Sequence, residues 1–335
     1  MPTTMPGGPE RPPSVIVGYG HAGRDLHHAA LRTLHGADTT VFVVDPALRE
    51  APPGVRLLPS LRAAADCGPM ADTVFHVTTP PGAHVDCAER LVGLGARRII
   101  LEKPIAPTSA QSGRLCELAE DATILPVSVW PNSRVTGEVE SVIASGEIGE
   151  PVALFMEQSK PRFGRTSSSD AHRTAFEVEL PHQVLLALHL AGARATMLSS
   201  ASWAMPLPDR VIPAMGGAVL RLEHENGTVS TLLSDLTSPA RRRHLRVTGT
   251  KGEVLADFPV GADDPFGQIR ISGRPGRTVV EDAPLTRFVE AAYACFSGTG
   301  PPPPAGLALH HRSIGLLEQA RDRAVPAALE EVRAG

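Results

Sequence analysis

The run Gly18-Tyr19-Gly20-His21-Ala22-Gly23 constrains this chain more than any other stretch. It follows directly on Ser14-Val15-Ile16-Val17, a largely β-branched run of the kind that forms a strand buried on both faces. Glycines so spaced permit a tight turn, a close approach of backbone to a pyrophosphate and close packing of helix on strand, while the helix N-terminus adds donors and a favourable dipole. Alone the pattern is weak evidence. Its neighbours make it strong, because an apolar helical stretch follows at Leu26, Ala29, Ala30 and Leu34, and then a second buried run, Val41-Phe42-Val43-Val44, ends on Asp45. An acid about 20 positions past the glycines, at the end of the second strand, is where adenosine ribose hydroxyls are held. Asp45 therefore favours NAD over NADP, since a carboxylate repels a 2′-phosphate, and Arg49 keeps NADP as the less favoured cofactor. A plain Asp45-Pro46 turn is the other reading of that site.

The alternation continues. Thr73-Val74-Phe75-His76-Val77 reads as a strand closed by Thr78-Thr79-Pro80-Pro81, a helical segment from Ala83 to Leu94 carries Val85, Ala88, Leu91 and Val92, and Ile99-Ile100-Leu101 is a further strand. Strands and helices in this order predict a doubly wound parallel sheet. Ligands of such sheets gather outside the carboxyl ends of the strands, and the Ile99 run stops abruptly on Glu102-Lys103-Pro104. Lys103 is thus a candidate for chemistry, held out of the helical region by the proline after it. From the tripeptide alone, an ordinary strand exit with a surface lysine is the competing reading.

At 335 residues the chain suggests two domains. With 42% hydrophobic and 20% charged residues and a net charge of −4, it gives no reason to expect nucleic acid or an anionic membrane surface as a partner. The densest basic run, Arg241-Arg242-Arg243 with His244 and Arg246, reads as a solvated turn or an anion contact. No apolar stretch approaches the length that spans a bilayer, and the leader Met1 to Pro13, rich in Pro, Gly and Thr, reads as a disordered tail without a signal peptide. Cys67, Cys87, Cys116 and Cys295 have no metal-site spacing and form no disulfide framework, so a cytoplasmic location and no metal are expected.

After Pro151 the pattern changes. Val152 to Glu157 reads as a strand, Arg162 to Arg173 as a polar, serine-rich loop over the cleft, and Phe176 to Gly192 contains a strongly apolar helix opened by Pro181 and closed by Gly192. Ala218 to Glu225 and Thr228 to Leu233 flank Asn226-Gly227, a clear hairpin signal, and Leu245 to Val254 is another turn between strands. Helices near Thr286 to Phe296 and from Leu307 to about Arg323 close the chain on either side of the stiff Pro301-Pro302-Pro303-Pro304 connector. The fold class expected is α/β: an N-terminal Rossmann domain over residues 14–128, after the tail of 1–13, and a C-terminal α+β domain over 129–335 with a largely antiparallel open sheet for substrate binding and oligomerisation.

The Gly18 fingerprint, Asp45, the Thr79-Pro80-Pro81 turn with His84, and above all Glu102-Lys103-Pro104 resemble the glucose-fructose oxidoreductase/inositol dehydrogenase group, the Gfo/Idh/MocA family. The resemblance continues through Leu125-Pro126-Val127-Ser128-Val129, Asn132, Arg134 and the stretch Ser145 to Pro151, and so covers the first 155 residues. It implies a nicotinamide-dependent oxidoreductase in which Lys103 bonds the oxygen that changes oxidation state, often beside a cis Lys-Pro bond. Gly18, Gly20, His21, Ala22, Gly23, Asp45, Thr78, Thr79, Pro80, His84, Glu102 and Lys103 would then line the cofactor groove, and Asn132 and Arg134 would lie by the substrate. In that family a helix of the second domain often carries an aspartate four residues ahead of a histidine, both aimed at substrate. His182 matches the histidine, but Val178 stands four residues ahead; Glu179, three ahead on the same helix face, is the natural stand-in.

These expectations describe an NAD-dependent dehydrogenase or reductase of a sugar, nucleotide sugar or cyclitol, with Lys103, His182 and Glu179 as catalytic residues and a homodimer or homotetramer as the assembly. A reductase of a non-sugar carbonyl or imine, and a non-catalytic dinucleotide-binding regulator, are the alternatives.

Overall fold

The computed structural model describes residues 12–36, 39–168, 172–261 and 263–327. The expected N-terminal tail thus lies almost wholly outside the described residues, as do 169–171 of the stretch read as a loop, whose first part, Phe163–Ser167, is instead a short helix. Two compact units emerge, one made of residues 1–107, 111–127 and 289–302, the other of 108–110, 128–288 and 303–335. The first unit therefore takes residues 289–302 from the stretch that the sequence placed in the C-terminal domain.

In the first unit six strands are described: β1 (Ser14–Val17), β2 (Val41–Val44), β3 (Val55–Leu57), β4 (Val74–Val77), β5 (Arg98–Leu101) and β6 (Thr123–Pro126). They pair in the order β3-β2-β1-β4-β5-β6, every pair parallel. This is the doubly wound order in which the chain reverses direction beside β1, leaving a crevice at the carboxyl ends of β1 and β4. Val15, Ile16, Phe75, Ile99, Ile100 and Leu101 have no exposed surface, and each such side chain contributes about 1.5–3 kcal/mol. The sheet is accordingly rigid under its carboxyl edge.

One element departs from the sequence reading. Residues Ala22–His28 wind as a π-helix before α1 (Ala29–His35) begins. The wider turn, with i→i+5 bonds, changes which residues face the sheet. Leu26 ends 38% exposed and Ala29 is exposed, while His27, His28, Ala30 and Leu31 are buried. Of the four apolar positions expected to mark this helix only Ala30 is buried, and two histidines take up the inner face.

The α-helices that follow are α2 (His84–Gly93), α3 (Ser109–Leu118), α4 (Arg134–Ala144), α5 (Phe163–Ser167), α6 (Leu180–Ala191), α7 (Pro284–Phe296) and α8 (Leu307–Asp322). The second unit carries a nine-stranded sheet of β7 (Pro151–Ser159), β8 (Ala195–Pro206), β9 (Val211–His224), β10 (Val229–Asp235), β11 (Arg242–Gly249), β12 (Glu253–Asp257), β13 (Phe266–Ile271), β14 (Thr278–Glu281) and β15 (Val325–Pro326). Its order is β14-β13-β12-β11-β7-β10-β9-β8-β15, antiparallel except for β7 with β10 and β8 with β15. The Asn226-Gly227 hairpin forms as read: Gly227 sits at φ 84° and Asn226 Oδ1 accepts the Thr228 N–H at 3.1 Å. Leu154, Met156, Leu220, Leu232, Leu245 and Val247 pack with Val184, Leu186 and Leu188 of α6 in one core. The α/β class with a parallel N-terminal sheet and a mostly antiparallel C-terminal one is as expected.

Candidate functional site

The glycine turn follows from contacts that no side chain would tolerate. Gly18 leaves β1 at φ 90° and donates its N–H to Val44 O at 2.9 Å; a β-carbon there would lie 2.9 Å from Thr79 N and 3.0 Å from Thr78 O. On Gly23 a β-carbon would fall 2.2 Å from Gly18 O. Gly20, by contrast, has nothing within 4 Å, so the middle of the turn offers bare backbone to open space. Thr78 locks the arrangement by donating its hydroxyl to Gly18 O at 2.5 Å.

Asp45, half-buried at the end of β2, accepts the Tyr19 N–H on Oδ2 at 2.6 Å and the Ala47 N–H on Oδ1 at 2.8 Å. Its carboxylate is thereby aimed by the glycine turn itself, and each oxygen keeps a lone pair for a hydroxyl donor. Thr79 Oγ1 is buried and has no hydrogen-bond partner among the described residues. Bare backbone at Gly20, an oriented acid and an orphaned buried hydroxyl fit a dinucleotide, whose phosphates and hydroxyls would meet all three. His21 is exposed and bonds Asp25, not a neighbour in the turn.

His84 is 1% exposed, and its ring spans two loops, with Nε2 2.7 Å from Thr79 O and Nδ1 3.0 Å from Pro104 O. Burial holds its imidazole below the ordinary range against the pull of the two carbonyls. It ties the Thr79-Pro80-Pro81 turn to the Lys103-Pro104 loop, and the Lys103–Pro104 bond is cis, as the resemblance implied.

Glu102, 6% exposed, holds two groups at once. Oε2 accepts the Lys103 N–H at 2.8 Å and Oε1 lies 3.1 Å from His27 Nε2. Burial pushes its carboxyl up, but the hydrogen bond and charge of His27, with Lys103, outweigh that and hold it below the usual carboxylate range. The contacts go on from His27: its Nδ1 lies 2.8 Å from His76 Nδ1, His76 Nε2 3.0 Å from the Tyr293 hydroxyl, and that hydroxyl 2.5 Å from Ser14 Oγ. Sequence reasoning missed this set. The signals were present, a histidine pair inside an apolar helix and a histidine in mid-strand at position 76, but only the fold brings them together.

In the second unit, Asn132 and Arg134 stand at the start of α4. The Asn132 amide donates to Ser128 O at 2.8 Å, while Arg134 is exposed and its N–H is held by Asp282 at 2.9 Å. Ser133 caps the helix, accepting the Val135 N–H at 3.1 Å. Glu179 stands just before α6, 7% exposed, and its carboxylate is paired with Lys160. Arg162 and Arg243 also act on that carboxylate; burial draws both guanidinium groups below their ordinary value, and Arg162 Nε has no partner among the described residues. Gln158, Ser159, Lys160, Glu179 and Arg241 to Arg243 line one small pocket. The His182 ring stands edge-on to Trp130 with centroids 6.2 Å apart, and its backbone N–H donates to Glu179 O. Lys160 and Arg162 were not singled out in the sequence.

Among the described residues no helix is long and apolar enough to cross a membrane, and no group of three or more His, Cys, Asp or Glu is placed to hold a metal ion.

Comparison with known proteins agrees with this geometry. An uncharacterized oxidoreductase of Schizosaccharomyces pombe is 30% identical over 96 residues, a match that spans 28% of this chain and only about a quarter, 26%, of that protein. Among solved structures, KijD10, a 3-ketoreductase from Actinomadura kijaniata in complex with NADP and TDP-benzene, superposes with a TM-score of 0.74 at 15% identity, covering 95% of this chain and 99% of that one. UDP-N-acetylglucosamine 3-dehydrogenase GnnA from Acidithiobacillus ferrooxidans gives 0.73 at 18% identity, with 94% and 98% covered. These likenesses establish a shared fold. Residues 14–129 match the Gfo/Idh/MocA family model, described as an oxidoreductase family with an NAD-binding Rossmann fold.

Proposed function

We propose that the chain is a nicotinamide-dependent oxidoreductase that moves a hydride between NAD and a hydroxyl or ketone of a sugar, nucleotide sugar or cyclitol, with Lys103 positioning the reacting oxygen. The observation that carries this reading is the gathering of the glycine turn, Asp45, Thr79 and Lys103 at the carboxyl ends of β1, β2, β4 and β5. Gly18, Gly20, His21, Ala22 and Gly23 would hold the pyrophosphate, Asp45 the adenosine ribose, and Thr78, Thr79, Pro80, Glu102 and Lys103 the nicotinamide half, with His84 acting through the loops it joins. When bound, the cofactor supplies or accepts the hydride. The hydroxyl proton passes to the Lys103 amine as the carbon–hydrogen bond breaks, and returns in the reverse direction. Asp45 supports NAD over NADP, although the KijD10 neighbour is in complex with NADP.

Within that class the surroundings of Glu179 favour an anionic substrate. Lys160, Arg162 and Arg243 face one carboxylate, and among the structural neighbours are a protein in complex with TDP-benzene and a UDP-N-acetylglucosamine dehydrogenase. A nucleotide sugar matches this charge; His182, Asn132 and Arg134 would complete the substrate side. The commitment of Glu179 to Lys160 favours, as a second reading, a reductase of a non-sugar carbonyl or imine.

Exposed apolar residues on the strands, Val152, Val211, Phe266 and Val279, support a homodimer or homotetramer through the open sheet, which light scattering would test. Four unpaired cysteines support a reducing cytoplasm. The test of activity is a redox screen of wild type and Lys103→Ala over cyclitols, sugars and nucleotide sugars, following reduced nicotinamide. Turnover by wild type that falls by roughly 10²–10⁴ in the variant is expected; equal turnover removes Lys103 from the mechanism.

A further inference from the structure

The buried contacts Glu102–His27–His76–Tyr293–Ser14 run through the first unit from the carboxyl end of β5 to the amino end of β1. His27 and His76 have no exposed surface, and their rings meet edge to face with centroids 5.1 Å apart. Two imidazoles in the core of a sheet, each using both nitrogens, are costly to maintain unless every atom is matched. Here every link is filled.

The carboxylate fixes the direction of each proton. With one proton on each ring, ionised Glu102, which only accepts, puts the His27 proton on Nε2 and leaves Nδ1 as an acceptor. His76 must then donate from Nδ1, its Nε2 must accept from the Tyr293 hydroxyl, and the Tyr293 oxygen must accept from Ser14. Both tautomers are thus determined by a carboxylate at one end.

We propose that His27, His76 and Tyr293 are positioning residues that hold Glu102 ionised and aimed, and so, through its Oε2 bond to the Lys103 N–H, set the pose of Lys103. This rests on the reading that Lys103 handles the substrate oxygen. The titratable groups facing Glu102 are His27, Lys103 and His84, and those facing His76 are His27, His35 and Tyr293. Burial keeps His76 neutral, well below the ordinary imidazole range, which supports the assigned tautomers.

The test has two parts, both on the full chain. Long-range proton–nitrogen NMR at neutral pH reads the tautomers without any variant: His27 protonated on Nε2 and His76 on Nδ1 are expected, and the opposite tautomer at either ring overturns the proposal. His27→Leu, which removes the donor, should raise the Glu102 titration midpoint, read by carboxyl-carbon NMR, by about one pH unit or more and lower kcat about tenfold, leaving the NAD dissociation constant within threefold. His27→Gln, whose amide places a donor where Nε2 stood, should restore most of both. An unmoved Glu102 midpoint in His27→Leu overturns the proposal whether or not any substrate is found. If wild type turns over no polyol while the tautomers and midpoint behave as stated, the reading of Lys103 fails and the arrangement around Glu102 stands.

Discussion

Glu102 and Glu179 are buried almost equally, 6% and 7% exposed, yet they are held by opposite means. Glu102 is held by one imidazole and one backbone N–H, with Lys103 beside it, so few basic groups face its carboxylate. Glu179 is overmatched by Lys160, Arg162 and Arg243. The first environment suits a cation, such as an oxidised nicotinamide ring, and the second suits an anion, such as a phosphate on a substrate. The same residue type serves two purposes because the fold gathers an imidazole and a backbone N–H in one unit and several basic side chains in the other.

The sharpest way to break this comparison is to remove each carboxylate. Glu102→Leu strands the His27 and Lys103 N–H groups in the core and should cost about 2–4 kcal/mol, whereas Glu179→Leu should cost about 1 kcal/mol because Lys160 is partly exposed and can turn to water. Equal shifts of the denaturation midpoint would erase the distinction. Next in size, Asp45→Ala should weaken NAD by roughly 10–100-fold and NADP by no more than a few fold, as read by calorimetry; equal losses would reverse the cofactor assignment. Lys160→Ala should raise KM for a nucleotide sugar by roughly tenfold and reduce its salt dependence, while KM for an uncharged cyclitol stays put. A KM change common to both substrates would deny the anionic role.

The smallest effect concerns pH. Burial holds His28, His76, His84 and His224 below their ordinary value, which is about 6.5 when unfolded. Below that pH the unfolded chain binds protons that the folded chain refuses, so stability is complete above about pH 6.5 and is lost as the pH falls toward the folded values. Tm should be lower at about pH 5.5 than at about pH 7.5. A flat profile across that window would mean that these histidines are not held neutral.

The legible parts of the molecule were those whose meaning is local. The Gly18 turn, the Asn226-Gly227 hairpin and the Glu102-Lys103-Pro104 strand exit each announce themselves within a few residues, because turn chemistry and strand burial act over that range. What escaped notice depends on assembly. The π-wound turn at Ala22–His28 moved Leu26 outward and His27 inward, so the apolar period pointed to the wrong face. His76 lies within a strand in the sequence, and its partner Tyr293 stands 217 positions away on α7. The Glu179 carboxylate is paired with Lys160 at the exit of β7, a lysine 19 positions away that no helical spacing reveals.

The most direct test of the account is a calorimetric titration of the purified chain with NAD, NADH, NADP and NADPH, repeated on Gly23→Val. Wild type should bind the NAD pair more tightly than the NADP pair. The variant, whose β-carbon would meet Gly18 O at 2.2 Å, should bind neither while its melting curve still reports a folded chain. Absence of binding by wild type, or unchanged binding by the variant, would contradict the cofactor site on which the whole reading stands.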